Sequence, residues 1–351
     1  MGRVLWFCTF PQLDMSMHPT KNARFQRKPT LSVLLAGLAL LAVACEQPEL
    51  GEATAEAANQ PRVVKIIATY DPETNEHLFE LSHDEIPYGW TTFRLVNASP
   101  DEHLAQIFKV PEDAGVTPEV WIRDLIEPIQ RSVHRFHEPD IESFAEASEG
   151  MELPDWWRRA SPRGGPGLVR PGATSEAMAM LEPGHYIIEC YVKDADEVMH
   201  TTSGMAALLI VTDEPSGASE PEADIELTLS KDGIQGVGDL EAGKQTVRVS
   251  FEDRRDPDLR IETVHLARLD EEVRLEDLST WMAWMVAGSY VAPAPAEFVG
   301  GTGRKPVGHA TYFTVDLEPG DYAWVAEYGT NTEAEPHLEE LGWLKTFTVK
   351  P

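Results

Sequence analysis

The residues best suited to chemistry are one cysteine, two histidines and one methionine. His200 follows Cys190 after nine intervening residues, and Met205 follows His200 after four more. Upstream, His103 comes after the strand-like run 91–96 and an Asn-Ala-Ser-Pro turn. Because turns at one end of a β-sandwich lie close together, these four side chains can meet at a single point.

A thiolate, two imidazoles and a thioether are the donor set of a trigonal copper site with a weak axial methionine. Soft sulfur donors favour Cu(I) and imidazoles also accept Cu(II), so a rigid cage of this kind suits both oxidation states. Zinc is the competing ion, since it binds the same thiolate and imidazole groups.

Cys190 also has an interpretation without metal. Cys8 lies in the N-terminal leader and Cys45 is a candidate for lipidation, so Cys190 would have no disulfide partner. Alternation along 186–192 places Cys190 on one strand face and Glu189 on the other. A buried free cysteine can be a small core residue, so the metal hypothesis depends on the nearby imidazoles and thioether.

The first 60 residues have the pattern of an export signal, 1–44, followed by an acidic tether, 45–60. Basic residues precede the apolar run 31–44, which is too short to span a bilayer of about 30 Å comfortably. Residues 41–45 (LAVAC) resemble the lipobox of bacterial lipoproteins, which implies a lipidated Cys45 and a protein anchored to the cell envelope, facing the periplasm or the exterior. An ordinary signal peptide cleaved near Ala44 is the alternative.

Composition excludes several classes of protein. The chain has 351 residues, of which 42% are hydrophobic and 25% charged, so it is neither disordered nor a polytopic membrane protein. Its formal net charge of −30 would repel nucleic acid and anionic bilayers. A protein partner would therefore be basic. The alternative is that the negative charge forms only a solvated surface and binds no partner.

Short runs of alternating or β-branched residues predict a mainly β protein, with helical spacing only at 118–136 and 275–285. We place domain 1 at 61–213, a Pro/Ser/Glu-rich linker at 214–222 and domain 2 at 223–351. Residues 172–186 align without gaps onto 308–322 and share Leu-Glu-Pro-Gly-x-Tyr, and 86–97 align onto 240–251. This self-similarity predicts a tandem duplication.

The chain resembles the cupredoxins, the plastocyanin-like family of blue (type 1) copper proteins, over nearly all of both halves. That resemblance implies an all-β fold of two tandem Greek-key β-sandwiches with helical insertions, and one copper ion in domain 1. The residues that carry it are Ile86–Asn97 before His103, then Pro183–Tyr186 before Cys190, His200 and Met205. By resemblance, the two histidines are imidazole ligands, Cys190 is the thiolate and Met205 the axial group.

Domain 2 lacks most of this set. Through the shared motif, Cys190 corresponds to Ala326 and Met205 to Trp343, and counting back from Leu269 aligned on Val110 matches His103 to Glu262. Only His337 matches a ligand, His200, with one residue inserted. We therefore expect domain 2 to be a metal-free copy. His265 is expected to be a hydrogen-bonded surface or core histidine.

Two further features carry less weight. His134 and His137 have the spacing of one helix face, a weak metal signal that an exposed polar face also explains. Trp156 and Trp157 could cover the metal end, dock a partner or pack in the core.

The expected function is one-electron transfer or copper handling with a redox or copper-exchange protein partner, and contact with the membrane only through the lipid. The sequence has no His-x-His pair, of the kind that builds additional copper centres in oxidases, and no hydrolase or nucleotide motif, so we do not expect an enzyme. The alternatives are a metal-free interaction module and a copper chaperone or storage protein.

Overall fold

The computed structural model describes residues 61–236, 240–253, 263–284, 287–327 and 338–350. Residues 1–60 lie outside this range, so the predicted signal, tether and lipidated Cys45 are not described. Glu262 and His337 lie outside it as well. Among the described residues, no helix is both long and apolar enough to cross a bilayer.

The described part of the chain is mostly β-structure, as the alternating runs predicted. Its strands in the first half are β1 (Arg62–Asp71), β2 (Glu76–Leu81), β3 (Glu85–Asn97), β4 (Gln106–Val110), β5 (Ser161–Pro162), β6 (Thr174–Leu181), β7 (Gly184–Glu189) and β8 (Ala206–Pro215). Those in the second half are β9 (Ile225–Ser230), β10 (Gly233–Gln235), β11 (Gly243–Phe251), β12 (Val264–Leu269), β13 (Glu297–Thr302), β14 (His309–Leu317), β15 (Gly320–Ala326) and β16 (Leu344–Val349).

Helices occur in both segments whose apolar residues recur with helical spacing, and a further short helix, residues 144–147, lies outside them and was not predicted. The helices are α1 (Pro118–Trp121), which continues through a π-helical turn (Ile122–Ile126) into α2 (Glu127–Arg135), then α3 (Phe144–Ala147) and α4 (Leu275–Trp281). Thr117 caps α1, since its side chain accepts a hydrogen bond from the Val120 N–H, and Pro118 occupies the first turn.

The first half is a sandwich of two sheets that share the long strand β3. One end of β3 pairs with β6 and, in parallel, with β1, which also pairs with β2. The other end of β3 pairs in parallel with β8, and the second sheet continues through β7 and β4 to β5. Apolar side chains from both sheets, among them Phe93, Leu95 and Ile107, are fully buried between them.

Strand pairing in the second half follows the same scheme. Strand β9 pairs antiparallel with β10 and parallel with β11, and β11 pairs with β14. Strand β12 pairs with β13 and β15, and β15 pairs with β16. Each strand of this half therefore has a counterpart eight strands earlier, and the pairings match except that β3 pairs with β8 whereas β11 and β16 lie in separate sheets.

The two halves form one continuous structure. Strand β14 pairs antiparallel with β6, which joins the halves in a 12-stranded sheet. A connecting segment, residues 164–170, also lies between them. On one side its Val169 exchanges main-chain hydrogen bonds of 2.9 and 3.2 Å with His103, and on the other its Gly167 N–H donates to the Gly301 carbonyl at 3.0 Å. His103 is thereby held by backbone that also binds the second half.

Candidate metal centre

The structure brings three of the four predicted ligands together. The Sγ atom of Cys190 lies 3.5 Å from Nδ1 of His103 and 3.8 Å from Nδ1 of His200, and the two Nδ1 atoms are 3.1 Å apart. A point equidistant from three atoms with these separations lies about 2.0 Å from each, close to the lengths of about 2.0–2.3 Å of zinc bonds to imidazole nitrogen and thiolate sulfur. One transition-metal ion fits between them.

Cys190, His200 and Met205 are positioned by the loop between β7 and β8. The Cys190 N–H donates to the Met205 carbonyl at 3.2 Å, the Met205 N–H donates to the His200 carbonyl at 2.9 Å, and the Thr201 N–H donates to the Cys190 carbonyl at 2.9 Å. Met205 is fully buried and directly precedes β8. The loop therefore folds back on itself, and the main chain of Met205 is bonded to those of both other predicted ligands.

His103 reaches the site from the chain between β3 and β4. Its ring is fully buried, and Nε2 forms a short hydrogen bond with the hydroxyl of Ser99. Because Nε2 is bonded to Ser99, Nδ1 is the nitrogen that faces Cys190. A second partner of this kind commonly fixes the orientation of a metal-binding imidazole.

Strand alternation placed Glu189 on the face opposite Cys190, and the structure shows that this second face is buried too. The Glu189 carboxylate accepts a hydrogen bond of 2.7 Å from the indole N–H of Trp121, in α1. Trp156 stacks on Trp121, with ring centroids 5.6 Å apart, and Trp157 packs against Phe108 at 5.5 Å. The tryptophans of the insertion thus pack over the back of β7.

A further histidine, His77 in β2, was not identified from the sequence. It is 1% exposed, and it forms with His103 and His200 a group of imidazoles whose candidate ligand atoms lie within 4.8 Å of one another. Its ring stacks on that of His200, with centroids 3.9 Å apart and planes inclined by 20°. Ligand lone pairs lie in the ring plane, so two nearly parallel rings do not point at one ion. His77 therefore covers the site.

Asp101 lies at the outer edge of this pair. Its Oδ2 atom is 3.6 Å from Nε2 of His77 and 3.6 Å from Nε2 of His200, and its side chain is 26% exposed. A carboxylate near the second nitrogen of a metal-binding imidazole favours the tautomer that keeps the proton on that nitrogen. The polar contact with His200 lowers the pKa of Asp101, against the opposing effect of its burial. No sequence pattern marked Asp101 or His77, because both reach the site only through folding.

Burial controls the protonation of the site. It raises the pKa of the Cys190 thiol to about 12 and lowers the pKa of His103 well below its ordinary value. The pKa of His77 is lowered to about 4, mainly by burial and to a smaller extent by the nearby His200. Neutral imidazoles are metal ligands as they stand, whereas the thiol must lose its proton to bind. A cation at the site would supply the charge that stabilises the thiolate.

Gln130 of α2 braces the loop that carries His200. Its side-chain N–H donates to the Glu197 carbonyl at 2.8 Å, and its side-chain oxygen accepts from the Met199 N–H at 2.8 Å. Nearby, His134 contacts Gln130, and His137 pairs with Glu197 at 2.7 Å. Neither histidine belongs to the group of three imidazoles, among the described residues, that could hold a metal.

We expect Gln130→Ala to loosen this loop. Loss of two hydrogen bonds from a buried side chain should lower the free energy of unfolding by about 1–3 kcal/mol and speed the loss of bound copper to a chelator. The measurements are denaturant unfolding and the rate of copper transfer. Gln245→Ala removes a half-buried glutamine of β11, in the second half, whose side-chain N–H donates to the Glu241 carbonyl, and it should change neither quantity as much. An equal effect in both variants would contradict the bracing role.

The second half has a different set of side chains at the equivalent place. Ala326, the counterpart of Cys190, donates its N–H to the Trp343 carbonyl at 2.9 Å, as Cys190 does to Met205. His265 is fully buried, accepts from the Leu168 N–H at 3.1 Å through Nδ1 and contacts the Thr263 hydroxyl at 2.7 Å. It is a hydrogen-bonded core histidine that ties the connecting segment to the second half.

No family model and no curated protein matches the chain. Among solved structures, it is similar to a multicopper oxidase, with 14% identity over 82% of this chain and 89% of that chain and a TM-score of 0.23. It is also similar to auracyanin from Roseiflexus castenholzii, with 17% identity over 44% of this chain and 98% of that chain and a TM-score of 0.23. An azurin from Methylomonas sp. strain J shows 15% identity over 36% of this chain and 98% of that chain, with a TM-score of 0.25. At these scores, the likenesses alone carry no conclusion about function.

Proposed function

We propose that this protein binds one copper ion in its first half and transfers single electrons. His103, Cys190 and His200 would hold the ion, with Met205 as the weak fourth ligand. The observation that carries the proposal is the triangle of one sulfur and two nitrogen atoms, whose common distance of about 2.0 Å suits a bound transition metal. Copper in such a site supplies a reversible one-electron couple.

The choice of copper over zinc rests on the donor set. Zinc takes thiolate, imidazole and carboxylate ligands, whereas a thioether is a soft donor that favours Cu(I). Met205 is fully buried at the end of the ligand loop. Asp101 offers a carboxylate close to the site, but it lies beside the outer nitrogen of His200.

Electron transfer is favoured over catalysis because the site is closed. Cys190, His103, His200 and Met205 all have 0% exposure. A catalytic metal keeps an open position for water or substrate, whereas electrons cross a closed shell. Burial also limits the rearrangement of solvent when the charge of the site changes.

The test is to load the protein with copper and record its visible spectrum. We expect one copper ion per chain and an intense absorption band from thiolate-to-Cu(II) charge transfer, which zinc cannot produce. One retained copper without that band would favour storage or delivery and contradict electron transfer. No retained copper would favour a metal-free interaction module.

We also propose that the chain arose by tandem duplication and is exported as a lipid-anchored protein. The matching strand order of the two halves and the shared Leu-Glu-Pro-Gly-x-Tyr motif support the duplication. The lipobox-like sequence before Cys45 supports the anchor. In cell fractionation, Cys45→Ala should move the protein from the membrane fraction to the soluble fraction, and an unchanged distribution would contradict the anchor.

A further inference from the structure

Neither imidazole of the site reaches the surface. His103 and His200 both have 0% exposure. The outer nitrogen of His103 is occupied by Ser99, which is itself buried. An electron that leaves the site must therefore cross another residue, and the spacing of the next aromatic rings becomes important because electron tunnelling weakens steeply with distance.

The ring next to His200 is that of His77, and the ring next to His77 is that of Tyr70. The ring centroids of His200 and His77 are 3.9 Å apart, and those of His77 and Tyr70 are 4.8 Å apart. Tyr70 and His77 are directly paired across β1 and β2, so their side chains lie on the same face of this hairpin. Tyr70 is partly exposed, and its hydroxyl donates to Asn75 at 2.9 Å.

The hairpin lies directly on the ligand loop. A Cβ atom placed on Gly204, next to Met205, would come within 3.2 Å of the His77 carbonyl oxygen and 3.0 Å of the Leu78 side chain. The position of His77 over His200 is therefore set by main-chain packing between the hairpin and the loop. Three stacked or tilted rings, His200, His77 and Tyr70, form a continuous series from the site to the surface.

The surface at the end of this series is acidic. Residues 71–76, which form the tip of the hairpin, are all exposed and include Asp71, Glu73 and Glu76. Residues 66–93 contain six carboxylates and neither lysine nor arginine. Such a surface attracts a cationic protein at low ionic strength.

We propose that His77 and Tyr70 are the electron route between the metal site and the surface, and that the acidic hairpin tip is where a basic one-electron carrier protein docks. This inference rests on the proposed electron-transfer function. Copper held by the site would supply the electron, which would cross His77 and Tyr70 to reduce the oxidised carrier, and no atom would be transferred. His77 is a positioning residue between the ligand His200 and Tyr70.

His77 can be replaced with little risk to the fold. Its Nδ1 atom has no hydrogen-bond partner among the described residues, and its Nε2 atom is 3.6 Å from Asp101. Replacing a buried polar group that makes no hydrogen bond by an apolar one of similar size is close to neutral. His77→Leu removes the aromatic ring, and His77→Phe keeps one. Tyr70→Leu removes the outer ring at a partly exposed position.

The experiment uses mitochondrial cytochrome c, a basic haem protein, as the probe. The copper-loaded protein is reduced, mixed with oxidised cytochrome c in a stopped-flow instrument and compared at low and high salt. We expect His77→Leu and Tyr70→Leu to be several-fold slower than wild type at both salt concentrations, with His77→Phe close to wild type. The visible spectrum of each variant should be unchanged, since neither residue is a ligand.

Charge reversal tests docking separately. Glu73→Lys together with Glu76→Lys should slow the reaction by about tenfold or more at low salt and far less at high salt, where the charges are screened. The matched control is Glu339→Lys together with Glu340→Lys, an exposed acidic pair in the second half, which should react close to the wild-type rate. A second readout is the affinity of the metal-free protein for cytochrome c, which only the hairpin reversal should weaken.

The proposal is overturned if His77→Leu and Tyr70→Leu react as fast as wild type, or if both charge reversals slow the reaction equally. A wild-type protein without copper or without its visible band refutes the proposed function, and with it the electron route. In that case the affinity measurement still decides whether the hairpin binds a basic protein.

Discussion

Cys190→Ser is expected to abolish the visible absorption of the copper-loaded protein completely. The band requires a thiolate, and serine provides a hard hydroxyl that remains protonated at neutral pH. Residues that merely orient a metal ligand typically change affinity by 10–100-fold, so loss of a ligand itself should weaken copper binding by at least about 100-fold. The measurements are the absorption spectrum and copper binding in competition with a chelator.

Two variants keep this result interpretable. Cys190→Ala removes the sulfur without introducing a hydroxyl into a fully buried position, so it should also be colourless while retaining the far-ultraviolet circular dichroism of the wild type. His185→Ala removes a half-buried histidine of β7, outside the site, and should keep the band. A full-strength band in either Cys190 variant would show that the copper is bound elsewhere.

Gly165→Ala is expected to be the most destabilising single-methyl substitution in the connecting segment. Gly165 has a φ of +116°, and a Cβ atom there would overlap the Ala105 carbonyl oxygen and approach the Ile107 side chain at 2.9 Å. Backbone strain and overpacking together should cost about 3 kcal/mol or more. Because Ala105 and His103 lie on the same stretch of chain, we also expect weaker copper binding.

Gly172→Ala separates strain from overlap. Gly172 also has a positive φ, +74°, but nothing lies within 4 Å of its missing Cβ. It should lose only about 1–2 kcal/mol and keep the wild-type affinity for copper. Denaturant unfolding and chelator competition measure both effects. Equal losses of stability in the two variants would contradict tight packing between the connecting segment and the chain that carries His103.

Much of the secondary structure could be predicted because it follows local patterns. The strand-like run 91–96 lies within β3, and the alternating run 186–192 begins in β7, since alternating apolar residues favour strands wherever they pack. Strands β2, β4, β5, β10 and β13 were missed. Of these, β2 and β10 are short edge strands that contribute few buried side chains, so their alternation is weak, and pairing with β1 and β9 determines them.

The burial of Glu189 shows where local patterns stop being informative. Alternation correctly placed its side chain opposite Cys190, but that face is covered by α1, and Trp121 binds the carboxylate. Which side of a strand meets solvent depends on what the rest of the chain packs against it. The insertion between β4 and β6 decides this question for β7.

By itself, the sequence determined which metal-ligand side chains are available and how three of them are grouped. Cys190, His200 and Met205 lie on one loop, and the residue pattern predicts the two strands that flank it. Only the tertiary structure decided that His103 joins them at 3.5 Å from the sulfur and that His77 closes over His200. Those contacts depend on sheet register and on packing between segments far apart in the chain. Such contacts leave no local periodicity to read.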